Sequence, residues 1–247
     1  MKKTLILLLL CSIITFSHAQ PKQRQVNNQT QSWISINNTV RVSKHWGFVA
    51  DVHYRANQIF ASPNLYVART GVSYWLDNNI SITAGYAHLW LAPTVTNWHT
   101  YSNENRIYQQ VQVINKYNKF SIVSRLRNEQ RWQEKIVNDT STHTNKFTNR
   151  IRFLEQINIP LFKNPKLPVL VLSDELSVQT GKEVVYNIFD QNRIFIGFKQ
   201  QIKKNLLFDI GYMLVDQQKS TGYQFDQNHT FRLFFYFNPD LSKQVIR

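Results

Sequence analysis

Beyond about residue 30 the chain alternates apolar and polar residues in roughly eleven segments. The clearest runs over 206–214. Leu206, Phe208, Ile210, Tyr212 and Leu214 share one parity, and Asp209 and Gly211 share the other. A period of two puts these sets on opposite faces of a strand, one suited to lipid and one to a polar interior. The segments pair as 31–42 with 46–56, 65–75 with 80–91, 106–113 with 120–132, 147–159 with 167–179 and 191–202 with 206–215, before a final strand at 230–237. Short polar connections fall at 43–45, 77–79, 115–118 and 203–205, with a proline-bounded one at 160–168. Longer ones fall at 57–64, 92–105, 133–146, 180–190 and 216–229. Alternating short and long connections predict an all-β fold, a transmembrane antiparallel up-and-down β-barrel with its long loops outside. Because single-chain bacterial barrels have even strand counts, about twelve strands are expected, with ten as the alternative.

The N-terminus gives this barrel a destination. Lys2 and Lys3 precede an apolar run through Ile14, and Ser17-His18-Ala19 ends it in the small-x-small manner of a cleaved secretory signal. The run is too short for a membrane anchor. The expected organisation is a signal peptide at 1–19, a flexible segment at 20–28, the barrel at 29–238 and a polar tail at 239–247, with the protein in the outer membrane. Cys11 is the sole cysteine and falls in the signal. A processed chain would therefore have no disulfide or thiolate chemistry.

Composition agrees with one lipid face and two aromatic girdles: aromatic residues make up 13% of the chain, and glycines number only 7. Charge adds a second theme. The chain has 29 Lys+Arg against 15 Asp+Glu. An export signal argues against nucleic acid as the partner, and no basic run has the form of a groove-reading helix or a stacking platform. Outer-membrane lipid and lipopolysaccharide, and small anionic solutes inside the barrel, fit this charge better.

Strand parity locates the charge. Asp51, His53 and Arg55 alternate with Ala50, Val52 and Tyr54, while Arg125, Arg127, Glu129 and Arg131 share one parity. Arg150 and Arg152 flank Ile151, Arg193 and Lys199 oppose Ile194 and Ile196, and Arg232 lies between Phe231 and Leu233. An arginine facing mid-bilayer lipid costs about 2–4 kcal/mol, so these residues should point inward. The candidate anion-binding set is Arg55, Arg125, Arg127, Arg131, Arg150, Arg152, Arg193 and Arg232. Asp51, Glu129, Glu175 and Asp209 are the expected counter-charges. Glu155 and Asp174 follow the lipid-facing parity, which implies a strand end or a bulge that resets the register.

Catalytic signatures are missing. His88 and His99, with Ser102 or Ser141, stand where a rim hydrolase would need them, but no signature spacing links them. There is no His-x-x-x-His metal motif and no glycine-rich phosphate loop, so no catalytic residue, metal or cofactor is assigned.

Several stretches resemble a known family. They are Thr148-Asn149-Arg150-Ile151-Arg152-Phe153, then Asp174-Glu175-Leu176, then Gln191-Asn192-Arg193 through Gly197, and Gly211-Tyr212-Met213. Upstream, Trp33, Lys44-His45-Trp46, Tyr54-Arg55, Arg69-Thr70-Gly71, Ala84-Gly85-Tyr86 and Arg125-x-Arg127-x-Glu129 continue the likeness. The chain resembles an uncharacterised outer-membrane barrel family, common in Bacteroidota and catalogued as a domain of unknown function. The resemblance implies a barrel in the outer membrane and no defined substrate. The expected role is non-enzymatic: a narrow pore or solute-binding barrel with an arginine-rich interior. The alternatives are a lipid- or lipopolysaccharide-modifying hydrolase and a structural or adhesive barrel acting through its outer loops.

Overall fold

The computed structural model describes residues 23–164, 167–184 and 187–242. The expected signal peptide and the end of the polar tail lie outside them. The described residues form a closed barrel of eleven strands. These are β1 (Gln25–Arg41), β2 (Trp46–Asn57), β3 (Ser62–Trp75), β4 (Ile80–Leu91), β5 (Ser102–Lys116), β6 (Ser121–Val137), β7 (Thr140–Pro160), β8 (Val169–Thr180), β9 (Phe189–Lys203), β10 (Leu206–Gln218) and β11 (Gln224–Phe237). None of the described residues forms a helix long and apolar enough to cross a membrane.

Each strand pairs antiparallel with its sequence neighbour, and β1 closes the barrel on β11 in parallel, from Gln25 opposite Gln224 to Asn38 opposite Phe237. An odd number of strands in an up-and-down order makes this unavoidable, because the first and last strands then run the same way. The count is therefore one below the even number expected. The eleven periodic segments are the eleven strands, and the parallel pair removes the need for a twelfth.

The period of two is kept round the barrel. Outward residues form an apolar band between two aromatic belts. At one end Trp46 meets Tyr74 edge-on with ring centroids 4.9 Å apart, and Tyr117 stacks on Phe120 at 4.7 Å. At the other, Tyr54 lies by Tyr66 and Trp132 by Phe147, each at 5.3 Å. The first belt borders the connections at 42–45, 76–79, 117–120, 161–168 and 204–205, the turn end; the second borders the opposite, loop end. At the turn end Asp77 Oδ1 accepts from the backbone N–H groups of Asn79 at 2.6 Å and Ile80 at 2.8 Å, closing that turn with a side chain.

The loop end is more regular than the sequence suggests. Residues 133–146, read as a long loop, are mostly strand: β6 and β7 run on to a two-residue turn at Asn138 and Asp139, with φ of 50° and 57°. Two left-handed residues at a hairpin tip match the twist of the strands, and Asn and Asp tolerate that conformation best after glycine. The barrel also starts earlier than expected, since 25–28 belongs to β1 rather than to a loose segment. The first residues of the polar tail join the sheet as well, with the Arg41 N–H donating to the Pro239 carbonyl at 3.0 Å.

Asp139 ties this hairpin to the neighbouring loop. Its Oδ1 accepts from the backbone N–H groups of Thr100 at 2.7 Å and His99 at 2.9 Å. Those amides, Thr100 chiefly, hold the carboxyl below its ordinary value. A lowered value means that the contact contributes fully above the unfolded carboxyl's range, about pH 4, and is lost as pH falls through the folded value. Hydrogen exchange at His99 and Thr100 is expected to be protected at pH 7 and unprotected in Asp139→Ala at every pH. Equal protection in the variant would show that the loop is held by other contacts.

Two glycine pairs shape the interior. Gly71 faces Gly85 across β3 and β4, and Gly197 faces Gly211 across β9 and β10. A Cβ on either member of the first pair would lie 2.7 Å from Tyr108 Oη, and one on Gly197 would lie 2.5 Å from Phe195 Cζ. The missing side chains leave room for these rings to lie along the inner wall.

Glu155 and Asp174 do not sit at a bulge. They are register partners in an unbroken β7–β8 pairing, and their neighbours Leu154, Gln156, Ser173 and Glu175 line the interior, so both carboxylates face outward. Each has a donor beside it: Ser124 Oγ at 2.9 Å from Glu155 Oε2, and Asn192 Nδ2 at 2.6 Å from Asp174 Oδ1.

Candidate functional site

The interior encloses a cavity of about 590 Å³. Eleven cationic side chains line it: Arg55, Arg69, Arg106, Arg125, Arg127, Arg131, Arg150, Arg152, Arg193, Lys199 and Arg232. All eight arginines expected from parity are among them. Asp51, Glu129 and Glu175 line the cavity too, and Asp209 is fully buried against Arg232. Glu104 and Asp190, also buried, bring the carboxylates to six.

Most of these charges are paired. Glu129 on β6 stands among four guanidinium groups. Arg152 Nη1 is 2.7 Å away and Arg106 Nη1 3.2 Å, with Arg127 at 3.7 Å and Arg150 at 3.9 Å. Glu175 on β8 accepts from Arg125 Nη2 and from Arg152 Nε, each at 2.6 Å, and lies 3.4 Å from Arg193. Glu104 on β5 accepts from Arg106 Nε at 2.6 Å and Arg131 Nε at 2.7 Å. Arg150 pairs with Asp190 at 2.6 Å, and Arg69 with Asp51. Toward the turn end, Arg232 Nη2 and Tyr236 Oη both donate to Asp209 Oδ2, at 2.9 and 2.6 Å. Charges this little exposed are stable only when paired and hydrogen-bonded, and the arrangement meets that demand chiefly by sharing Glu104, Glu129 and Glu175 among several arginines each.

Sharing leaves a surplus, since eleven cations face six carboxylates. Two of the cations have no carboxylate within 4 Å among the described residues. Arg55, near the loop end of β2, makes no hydrogen bond there, and its Nε is buried without a partner. Its guanidinium carbon lies 3.6 Å from the centre of the Trp33 ring, and Arg193 approaches the same ring at 5.1 Å. Lys199, toward the turn end of β9, lies 5.3 Å from the Tyr236 ring. Arg127 is intermediate, with its Nε held by the Gln110 side-chain oxygen at 2.9 Å.

The chain belongs to the DUF2490 family. The model of this family, described as a protein of unknown function, matches residues 30–230, nearly the whole barrel. A search among curated proteins finds no match. This DUF2490 barrel thus has its functional chemistry to be read from its own residues.

Some of those residues escape a reading of the sequence. Arg69, Glu104, Arg106 and Asp190 join the network but were not among the expected charges. Glu104, Arg106 and Tyr108 do share a parity on β5, yet the outward parity there has Asn103, Asn105 and Gln109, so the contrast between faces is lost. At the rim, His88 Nδ1 lies 2.8 Å from Asn105 Oδ1. Ser102 Oγ donates to the Glu134 carbonyl at 2.7 Å, and Ser141 Oγ donates to the Glu134 carboxylate. Both hydroxyl protons are thus directed at Glu134 rather than at an imidazole. Among the described residues no group of three or more His, Cys, Asp or Glu is placed to hold a metal.

Proposed function

We propose that the protein is an outer-membrane barrel that draws small anionic solutes into a narrow, arginine-lined interior and holds or passes them without catalysis. The observation that carries this reading is the surplus of cations over carboxylates inside the barrel. Low-dielectric walls focus the field of a one-signed surplus and raise the local concentration of counter-ions. Guanidinium groups also match carboxylate and phosphate geometry. An outward apolar band between aromatic belts supports a lipid setting. The basic balance of the chain suits contact with lipopolysaccharide phosphates at the outer face, and nucleic acid has no part in this reading.

The test is the reversal potential of the refolded protein in a planar bilayer under a KCl gradient. Displacement toward the chloride equilibrium potential is expected. Arg127→Gln should reduce it, because that guanidinium is held by an amide and its removal strands no close carboxylate. A reversal near the potassium value would overturn the reading. A folded barrel that carries no current would remove passage and leave holding, which quenching of a small anionic fluorophore would then read.

A further inference from the structure

The lumen wall beside Arg55 is apolar. Leu65, its register partner on β3, pairs in turn with Leu91 on β4, and Val67 pairs with Leu89. Leu65, Ala87 and Leu89 form a buried cluster with Val67 and Leu91 packed against it, and all five line the cavity. A cation without an acceptor therefore adjoins an aliphatic patch in the same enclosed space. The turn joining β2 to β3, next to both, exposes Ile59 (63%) and Phe60 (44%) at the loop-end rim. A free inorganic anion would use the guanidinium and gain nothing from the leucines. A neutral hydrocarbon would gain nothing from the guanidinium.

We infer that this corner of the lumen binds an amphipathic anion, with a carboxylate or phosphate-monoester head on Arg55 and an apolar body along Leu65, Leu89 and Leu91. The head fills the hydrogen-bonding demand that Trp33 leaves unmet, since a ring face supplies charge attraction but no lone pair. Arg193, on the other approach to Trp33, adds a second positive charge to the same corner. The body replaces lumen water against aliphatic side chains, which is favourable in proportion to the area covered. A cavity of about 590 Å³ is of a size that holds a small organic ligand. The inference rests on the reading of the interior as a solute site and narrows it to one ligand class.

The experiment is calorimetric titration of the full-length refolded barrel in nanodiscs, with empty nanodiscs subtracted. The probes are decanoate, decyl phosphate, decanol, acetate and inorganic phosphate. Decanoate or decyl phosphate should bind at least tenfold more tightly than decanol and than the short anions. Their order separates a free acid from a phosphate ester as the natural head. Arg55→Gln should weaken binding at least tenfold, Arg55→Lys should keep most of it, and Leu91→Gln should abolish the gain from the decyl chain. Decanol binding as well as decanoate, acetate binding as well as decanoate, or Arg55→Gln without effect in a barrel whose heat-modifiable migration is normal would each overturn the inference. Anion-selective current with no decyl preference would overturn this inference alone. Decanoate binding beside a reversal near the potassium value would overturn the broader reading alone.

Discussion

Glu129→Gln is expected to destabilise the folded barrel by about 3–5 kcal/mol, the range for removing one partner from a buried ion pair. The expectation stands on the crowd round that carboxylate. Arg106, Arg127, Arg150 and Arg152 all lie within 3.9 Å of it. Glutamine keeps the size of the side chain but withdraws the charge, leaving four largely buried guanidinium groups to repel one another. The measurement is the urea midpoint of the refolded protein in lipid vesicles. Adding Arg127→Gln should recover part of the loss, because among the described residues Glu129 is the one carboxylate within 4 Å of that guanidinium, whereas Arg106, Arg150 and Arg152 each keep another. A single-variant loss below about 1 kcal/mol would mean that water screens the interior as at a surface.

Gly197→Ala is the second large effect. The new methyl group would have to share space with the Phe195 ring and with the Ile210 carbonyl, 2.4 Å away. Overpacking of this kind typically costs about 1–3 kcal/mol. The ring cannot move freely, since Arg232 lies over it at 4.1 Å while bonded to Asp209. Phe195→Leu in the same chain should restore part of the stability, as read by the same urea midpoint. Failure of the double variant to recover would assign the loss to the backbone carbonyl alone.

The fold was legible where the outward and inward faces of the barrel impose opposite demands on neighbouring residues. In Arg125, Arg127, Glu129 and Arg131 one parity is charged and the other includes Leu126, so the face assignment follows from transfer cost alone. Asp209 and Arg232 are legible for the same reason, each set among large apolar neighbours. Legibility fails where that contrast fades. At Asp190 the register slips between Ser177 and Val178, and Asp190 and Gln191 are both buried, a case that a strict period of two cannot represent. In 133–146, the charges of Glu134, Lys135 and Lys146 read as loop, although strands that pass beyond the apolar band are free to be polar. The Arg55–Trp33 contact joins two strands through a register that the sequence does not display. The presence of a charged interior was therefore readable, and the identity of its unpaired members was not.

The parallel closure of β1 on β11 has a consequence for how the chain can be rearranged. A barrel that grows or shrinks by whole hairpins changes its strand number by two, so no hairpin duplication or deletion can remove this junction. Only the gain or loss of a single strand could. The same geometry sets β1's first residue and β11's last at opposite ends of the barrel. Joining the start of β1 to the end of β11 in a circular permutant would require a linker that travels the full height of the wall, inside the barrel or along its outer face. Permutation, which many domains with adjacent ends tolerate, is closed to this one by the direction of one strand.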